Sequence, residues 1–393
     1  MSEFDFDRVI NRKNTDSYKW DGLPVGDDVI PMWVADMDFA CPPCVVEAVA
    51  KRAQHPIYGY PFRTSRYYEA VEGWFKKRHG CVVPREYLAF APPGVIYGMN
   101  NALKLLTNEG DRVLIHVPNY DPLFDIITRN NRKMITSKLL LQDNRYIMDF
   151  EDLERKAKEG LSALILTSPH NPTGRVWTRE ELERVVEICL MYDVFILVDE
   201  IHADFTSAKN PHTAFLKFGE KALQKSIVFY SPNKGFNLGG FQMATVVTAN
   251  ESLRKRFNEE MATAQTRLDN IFGAEAMIAA YESGEEWLDA AIVYVEKNKA
   301  YVRKYLKDNI PEIRWTDTEG TYLGWLNCEG LGITGKELDE FMIKKAGIAL
   351  TPGYEFGGDS ESYMRINLAC PKSQVEEALS RLSKAVEDWR KAQ

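Results

Sequence analysis

Short apolar runs alternate with amphipathic segments between about residue 85 and residue 250, and three of these runs end in polar residues. Residues 161–167 precede a polar loop at 168–175, residues 194–198 end at Asp199, and residues 227–230 precede Lys234. Continuous apolar runs of this length are typical of strands that are buried on both faces of a parallel sheet. The pattern therefore predicts an α/β fold whose polar groups meet at the carboxyl edge of the sheet, where ligands bind.

The pattern changes after residue 250 and predicts a second, smaller α+β unit. Two long helical stretches end near residues 284 and 309, and strand candidates follow at 313–315, 321–327 and 363–369. A Ser or Thr followed three residues later by Glu is a capping box, which predicts helices opening at Thr178, Thr334 and Ser373. The first unit is predicted to be a large domain with a mostly parallel sheet between helices.

Composition narrows the class of protein. The 393 residues carry a formal net charge of −8 without an extended basic run, which disfavours nucleic-acid binding. The six cysteines are unevenly spaced, which favours a reducing compartment over a disulfide scaffold. The first residues lack a basic and then apolar signal, and no apolar stretch reaches the length of a membrane span. We expect a cytoplasmic protein with neither a membrane nor a nucleic-acid partner.

Lys234 is the main candidate for chemistry. It follows Phe229 and Tyr230 and precedes Phe236 and Leu238, so its amine lies in apolar sequence. Desolvation favours the neutral, nucleophilic amine, which can form a Schiff base with a carbonyl compound. Most lysines are solvated, so a surface loop is the alternative interpretation. The polar residues that follow the two other strands favour the interpretation of Lys234 as a reactive lysine.

Four residues resemble a known signature. Asn171, Asp199, Lys234 and Arg365, in this order, resemble the fold type I family of pyridoxal-phosphate enzymes. The segments at residues 31–39, 55–61, 168–177, 199–202 and 365–371 narrow the resemblance to MalY/PatB-like cystathionine β-lyases of the aminotransferase class I/II superfamily. The resemblance implies pyridoxal 5′-phosphate as cofactor. It also implies a large domain of residues 50–288 and a discontinuous small domain of residues 1–49 and 289–393.

The resemblance implies catalytic roles for Lys234, Asp199 and Tyr120. Lys234 would bond to the cofactor and move the substrate Cα proton, and Asp199 would keep the pyridine nitrogen protonated. Tyr120 would stack on the ring, and Asn171 would donate a hydrogen bond to the phenolic oxygen. His202 either contacts the cofactor or is a satisfied structural histidine.

The cofactor's phosphate is expected at a turn that opens a helix, although a Pro-Gly turn before a helix is by itself an ordinary element boundary. Gly94 allows close approach of the backbone, and a helix N-terminus attracts anions. The resemblance implies phosphate contacts from Gly94, Val95, Ile96 and Ser231. It also implies that Tyr60 reaches the phosphate of a neighbouring subunit, and hence a homodimer. Packing at a turn is the alternative for Tyr60.

Arg365 is the candidate for binding substrate. Alternation along residues 363–368 puts Arg365 and Asn367 on the same face of the strand. Exposure of this face to water is the alternative interpretation. The resemblance implies that the guanidinium binds the substrate α-carboxylate through two hydrogen bonds. Ala35, in the 31–39 segment, is a further substrate-binding candidate.

Other patterns are assigned no chemistry. Cys41 and Cys44 have redox spacing, but they lack the second pair of a zinc site and precede an ordinary helix pattern. Asp199, Glu200, His202 and Asp204 alternate in direction, so no metal site is predicted. The glycine-rich stretches at 235–240 and 353–358 lack the context of a dinucleotide fingerprint.

The resulting prediction is a carbon–sulfur β-lyase that cleaves L-cystathionine and related cysteine S-conjugates to a thiol, pyruvate and ammonia. An aminotransferase uses the same lysine, aspartate, asparagine and arginine and is the alternative. A regulatory protein that binds a transcription factor is the alternative of another class. The chain departs from the family pattern at Gly235, where threonine is usual, and at Tyr97, where proline is common.

Overall fold

The computed structural model describes residues 4–22, 26 and 28–392. The strands are β1 (Ile30–Pro31), β2 (Leu88–Phe90), β3 (Arg112–Val117), β4 (Lys133–Lys138), β5 (Leu140–Gln142), β6 (Arg145–Ile147), β7 (Ala163–Thr167), β8 (Phe195–Asp199), β9 (Ser226–Tyr230), β10 (Thr245–Val247), β11 (Arg314–Trp315), β12 (Leu323–Asn327), β13 (Ile348–Ala349), β14 (Thr351–Pro352) and β15 (Tyr363–Asn367). The helices are α1 (Tyr18–Asp21), α2 (Pro43–Gln54), α3 (Ser65–His79), α4 (Val95–Leu106), α5 (Asp121–Thr128), α6 (Phe150–Lys158), α7 (Arg179–Met191), α8 (Gly219–Gln224), α9 (Pro232–Gly235), α10 (Glu251–Thr263), α11 (Ile271–Ser283), α12 (Glu285–Asn309), α13 (Gly335–Lys344) and α14 (Lys372–Ala392).

The central sheet has seven strands in the order β2-β10-β9-β8-β7-β3-β4. Strand β10 is antiparallel to both of its neighbours, and the other pairs are parallel. Every residue of β7 and β9 is buried, and so is all of β8 except Phe195. The predicted mostly parallel α/β sheet is therefore confirmed. The loops that follow β7, β8 and β9 leave from the same edge.

Helices cover both faces of this sheet. Alternate residues of β9 point to opposite sides, with Ile227 and Phe229 in one apolar cluster and Val228 and Tyr230 in the other. Helices α4, α5 and α10 pack on the first side, whereas α3, α6, α7 and α11 pack on the second. Each fully buried aliphatic or aromatic side chain of this kind contributes about 1.5 to 3 kcal/mol.

The C-terminal part forms an antiparallel sheet in the order β11-β12-β15-β14. Arg365 lies in its interior, where it pairs with Trp325 on β12 and Thr351 on β14. Strands β1 and β13 form a separate parallel pair that attaches the N-terminal segment to this part of the chain. Within the described residues, no helix is both long enough and apolar enough to span a bilayer.

The predicted domain boundaries at 49/50 and 288/289 fall inside α2 and α12, so continuous helices join the two parts of the chain. These boundaries stay predictions. Residues 1–3, 23–25, 27 and 393 of the predicted small domain lie outside the described residues.

Some element predictions were wrong in detail. The capping box at Thr178 is present, but Thr334 makes no side-chain cap because Gly335 begins α13 with a φ of 58°. Ser373 does not open α14, which begins one residue earlier; the Pro371 carbonyl accepts from Gln374 instead. The first of the two predicted helical stretches after residue 250 contains two helices, α10 and α11.

Candidate active site

Lys234 lies on the short helix α9, directly after β9. Its Nζ donates a hydrogen bond to the Ala35 carbonyl at 2.5 Å. Burial and the neighbouring charge of Arg365 lower the pKa of Lys234 to about 8, although Asp36 and Asp199 oppose this effect. A substantial fraction of the amine is therefore neutral just above neutral pH, as a nucleophile or base requires.

Asp199 ends β8 and is buried. Its Oδ1 accepts a hydrogen bond from the Ile201 N–H at 3.0 Å. Burial raises the pKa of Asp199 to about 6, against the lowering effects of that hydrogen bond and of Lys234. A buried carboxylate of this kind is stabilised by a ligand that supplies a protonated ring nitrogen.

Arg365 is buried and bonded only to neutral groups. Its Nη1 donates to Asn171 Oδ1 at 3.0 Å, and its Nη2 donates to the Trp33 carbonyl at 2.9 Å and to Thr351 Oγ1 at 3.1 Å. The Nε has no partner among the described residues, and the guanidinium lies 5.0 Å from the Phe356 ring centre. Because an uncompensated buried charge is unfavourable, the site favours an anionic ligand.

Asn171, His202 and Tyr120 surround these charges. Asn171 uses its oxygen for Arg365, which turns its NH₂ group away from the guanidinium. Burial and the charges of Lys234 and Arg365 keep the pKa of His202 well below its usual value, so the imidazole is neutral, and its buried Nδ1 has no partner in the described residues. Tyr120 caps α5 and is close enough to Arg365 and Asp199 for their charges to affect its pKa, which burial raises.

The predicted phosphate turn has the expected backbone geometry. Gly94 is the N-cap of α4 with a φ of 106°, a conformation that favours glycine, and no side chain caps the helix. The N–H groups of Val95 and Ile96 therefore open the helix without intrahelical partners. A Cβ at Gly94 would lie 3.6 Å from the Gln242 carbonyl oxygen, which identifies Gln242 as a neighbour that the sequence did not indicate.

Ser231 and Tyr60 are the other two predicted phosphate contacts, and neither has the geometry of the Gly94 turn. The Ser231 hydroxyl donates to the Met243 carbonyl at 2.5 Å and accepts from the Asn233 N–H at 3.1 Å, so donation to a phosphate requires exchange of its bond to Met243. Tyr60 is 94% exposed and makes no contact with the site of its own chain in the described structure. Both roles stay predictions.

The structure gives a steric reason for one departure from the family pattern and a contact for the other. A Cβ at Gly235 would lie 2.9 Å from Asp204 Cβ, so a threonine does not fit beside this aspartate. Asp204 is fixed because its Oδ1 accepts from Trp74 Nε1 and lies within hydrogen-bond distance of His79 Nε2, both at 2.9 Å. The Tyr97 hydroxyl oxygen accepts a hydrogen bond from Thr266 Oγ1 at 3.2 Å.

The segments that were assigned no chemistry make structural contacts. Cys41 and Cys44 are free thiols that face the carbonyls of Asn237 and Ala279. Glu200 accepts a hydrogen bond from the Phe215 N–H at 2.8 Å.

The sequence missed how residues 33–37 line the site. This segment has no regular secondary structure, and each of its carbonyls accepts a side-chain hydrogen bond. The pairs are Trp33 with Arg365 and Thr351, Val34 with Asn367, Ala35 with Lys234 and Tyr322, Asp36 with Asn367 and Lys19, and Met37 with Arg12 and Asn237. Alternation in β15 did indicate that Arg365 and Asn367 share a face. No local signal indicated Tyr322.

The residues fit pyridoxal 5′-phosphate on their own evidence. The uncapped N-terminus of α4 suits a phosphate, and the buried Asp199 suits a ring nitrogen. Lys234 suits a carbonyl carbon, while the unpartnered Nε of Arg365 suits a carboxylate. The same constellation suits an amino-acid substrate beside the cofactor.

The edge of the central sheet that carries Asp199 and Lys234 faces the buried Arg365 of the C-terminal sheet, an arrangement that suits an enzyme acting on amino acids through a lysine amine. The chain belongs to the aminotransferase class I and II family, whose model matches residues 27–382.

Several known proteins resemble the chain over nearly its whole length. Cystathionine beta-lyase PatB of Bacillus subtilis is 35% identical over 97% of this chain and 99% of PatB. Protein MalY of Escherichia coli is 30% identical over 98% of this chain and 99% of MalY. Cystalysin from Treponema denticola, whose crystal structure contains pyridoxal 5′-phosphate, superposes with a TM-score of 0.95 at 36% identity, covering 98% of this chain and 99% of cystalysin. The predicted family and fold are confirmed.

Proposed function

We propose that this protein is a pyridoxal-phosphate-dependent carbon–sulfur β-lyase that cleaves L-cystathionine and related cysteine S-conjugates. The observation that carries the proposal is the grouping of Lys234, Asp199 and Arg365 around one site. Lys234 and Arg365 donate to carbonyls of the same 33–37 segment, and Asp199 is close enough to Lys234 for its charge to act on the amine. Arg365 has no ion-pair partner among the described residues. The β-lyase names of relatives that match nearly the whole chain support the choice of reaction.

Each residue of the site has a proposed part in binding the cofactor. The N–H groups of Val95 and Ile96, next to Gly94, would bind the phosphate. Ser231 would join them once its hydroxyl gives up its hydrogen bond to the Met243 carbonyl. Asp199 accepts from the ring nitrogen, Asn171 donates to the phenolic oxygen, and Tyr120 covers one face of the ring beside His202. When bound, pyridoxal 5′-phosphate withdraws electrons from the substrate Cα, which makes loss of the Cα proton and of a Cβ thiolate possible.

Arg365 orients the substrate, and Lys234 accepts its Cα proton. Arg365 binds the α-carboxylate, and Ala35 borders the bound substrate, so the Cα–H bond points at Lys234. Lys234 Nζ accepts the Cα proton and becomes an ammonium group. The Cβ–S bond then breaks with its electron pair on sulfur. Overall, one cysteine S-conjugate and one water give one thiol, one pyruvate and one ammonium ion.

The assembly that we propose is a homodimer. Ile57, Tyr58, Tyr60 and Phe62 are 68%, 58%, 94% and 82% exposed, a concentration of exposed apolar residues that marks interaction surfaces. In the proposed dimer Tyr60 contacts the phosphate bound by the other subunit. Gel filtration at micromolar concentration tests the oligomeric state.

We also propose two domains and a cytoplasmic location. The parallel pairing of β1 with β13 supports a small domain of residues 1–49 and 289–393 against a large domain of residues 50–288. Six free cysteines support the reducing compartment.

Incubation of the purified holoenzyme with L-cystathionine, without any keto acid, tests the reaction. We expect homocysteine, pyruvate and ammonia in equal amounts. The Arg365→Ala variant should keep the cofactor absorbance and lose turnover, because the carboxylate is no longer oriented. Turnover only when a keto acid is added, without release of thiol, would instead identify an aminotransferase.

A further inference from the structure

The carbonyl oxygen of Ala35 accepts hydrogen bonds from two side chains. Lys234 Nζ donates from 2.5 Å and the Tyr322 hydroxyl donates from 2.8 Å. Lys234 comes from the large sheet and Tyr322 from the start of the second sheet, so one backbone oxygen joins the lysine to the other part of the molecule. The acceptor is a neutral backbone carbonyl, so this contact of Lys234 is a hydrogen bond and not an ion pair.

Tyr322 is held in place by packing, and its hydroxyl donates to the Ala35 carbonyl. The side chain is 1% exposed, and its ring meets Phe205 edge-on with centroids 5.1 Å apart. Thr321, with a φ of 59°, bonds through its N–H to the Phe205 carbonyl and directs the chain into β12. Burial and the nearby Asp36 raise the pKa of Tyr322 far above physiological pH, so the hydroxyl stays a donor.

The rest of the segment is anchored independently of Tyr322. Arg12 binds both Asp36 and Asp38, and the buried Lys19 binds Asp38 at 2.6 Å. Asn367 donates to the carbonyls on either side of Ala35, each at 2.6 Å. None of these contacts reaches the Ala35 oxygen, whose side-chain donors among the described residues are Lys234 and Tyr322.

We propose that Tyr322 is a positioning residue that holds the Ala35 carbonyl where it accepts a hydrogen bond from the Lys234 ammonium group. The proposal rests on the proposed function for the step in which Lys234 takes the Cα proton. At that step a positive charge forms on Nζ in a desolvated site, and a carbonyl stabilises it without the strength of an ion pair.

The charges near Lys234 shift its pKa in opposite directions, so a hydrogen bond from its ammonium group can still change that pKa. Arg365 disfavours the ammonium form, whereas Asp36 and Asp199 favour it, and His202 is neutral. A hydrogen bond to the charged form raises the pKa of an amine, so a displaced Ala35 carbonyl should lower the pKa of Lys234.

The test compares Tyr322→Phe with the matched control Tyr363→Phe. Tyr363 is also a buried tyrosine of the second sheet, and its hydroxyl accepts from Asn327 rather than facing the 33–37 segment. In the full chain freed of cofactor, the lysines are methylated reductively with isotope-labelled methyl groups and titrated by NMR. The Lys234 signal is the one that is missing from Lys234→Arg.

We expect Tyr322→Phe to lower the pKa of Lys234 by about one unit and Tyr363→Phe to leave it unchanged. In the holoenzyme, Tyr322→Phe should lower kcat about tenfold with KM within about twofold, because substrate binding by Arg365 is intact. An unchanged pKa, an equal fall in both variants, or a Tyr322→Phe chain that does not fold would overturn the proposal. The NMR result does not depend on the substrate, so a failed cystathionine assay would count against the proposed reaction alone.

Discussion

Two buried lysine–aspartate clusters of this protein are built from the same residue types and differ in how the charges are paired. In the N-terminal cluster, Lys19 Nζ lies 2.6 Å from Asp38, which Arg12 also binds. At the active site, Lys234 donates to a carbonyl and Asp199 accepts from a backbone N–H.

The difference in pairing sets the protonation behaviour of the acids. Burial alone would raise the pKa of Asp38, but the charges and hydrogen bonds of Lys19, Trp20 and Arg12 together outweigh it and lower the pKa below its usual value. For Asp199 burial prevails and raises the pKa to about 6. The N-terminal cluster therefore neutralises its charges internally, whereas Asp199 and Arg365 have no ion-pair partner among the described residues. A buried ion pair is a structural element, and unpaired buried groups mark function.

The largest expected effect separates the two lysines by activity. Lys234→Met removes the amine that accepts the Cα proton, so we expect turnover to fall about 10⁴-fold or more. Borohydride should no longer fix the cofactor to the chain. Peptide mapping of the reduced protein checks this, and a labelled peptide elsewhere would contradict the assignment of Lys234.

The same substitution in the other cluster should act on stability instead. Lys19→Met leaves Asp38 buried with only Arg12 as a cation, so we expect the free energy of unfolding to fall by about 3 kcal/mol. The folded variant should retain turnover within about tenfold, which assays below its melting temperature can check. If Lys19→Met abolished turnover without loss of stability, the division between a structural and a functional cluster would be wrong.

The parts of the site that the sequence predicts are those carried by local pattern. Apolar runs ending in polar residues predict the edge with Asn171, Asp199 and Lys234, because the residues of a strand themselves indicate where it runs and where it ends. Arg365 is predicted to face a ligand only with the help of the resemblance.

The remaining parts depend on contacts between distant residues. Tyr322 and Ala35 are 287 positions apart, and Asn237 and Met37 are 200 apart, so no window of sequence contains both members of either pair. Ser373 shows the opposite failure, since its local capping signal is overridden by the backbone of Pro371. The proposed role of Tyr60 would involve a second chain and is therefore not contained in one copy of the fold.

The smallest expected effect sharpens the comparison between the two aspartates through pH. Asp199 has a raised pKa in the folded chain. As the pH rises from 3.8 towards 6, this carboxyl therefore loses its proton in the unfolded chain before it does so in the folded chain. Ionised Asp199 therefore lowers stability above that range. In the cofactor-free chain, Asp199→Asn should raise the free energy of unfolding by about 2 kcal/mol at pH 7, and the gain should vanish below about pH 4.

Asp38→Asn is the matched control with the opposite sign. Because the pKa of Asp38 is lowered, its ionised form stabilises the folded chain above the unfolded value of 3.8, and this contribution is lost as the pH falls through the folded value. Asp38→Asn should therefore destabilise at pH 7 and differ less from the parent at pH 3. Urea unfolding of both variants across pH 3 to 8 measures the two slopes. Slopes of the same sign would mean that Asp199 is paired within the protein, and the ionised carboxylate would then not depend on a bound ring nitrogen for stabilisation.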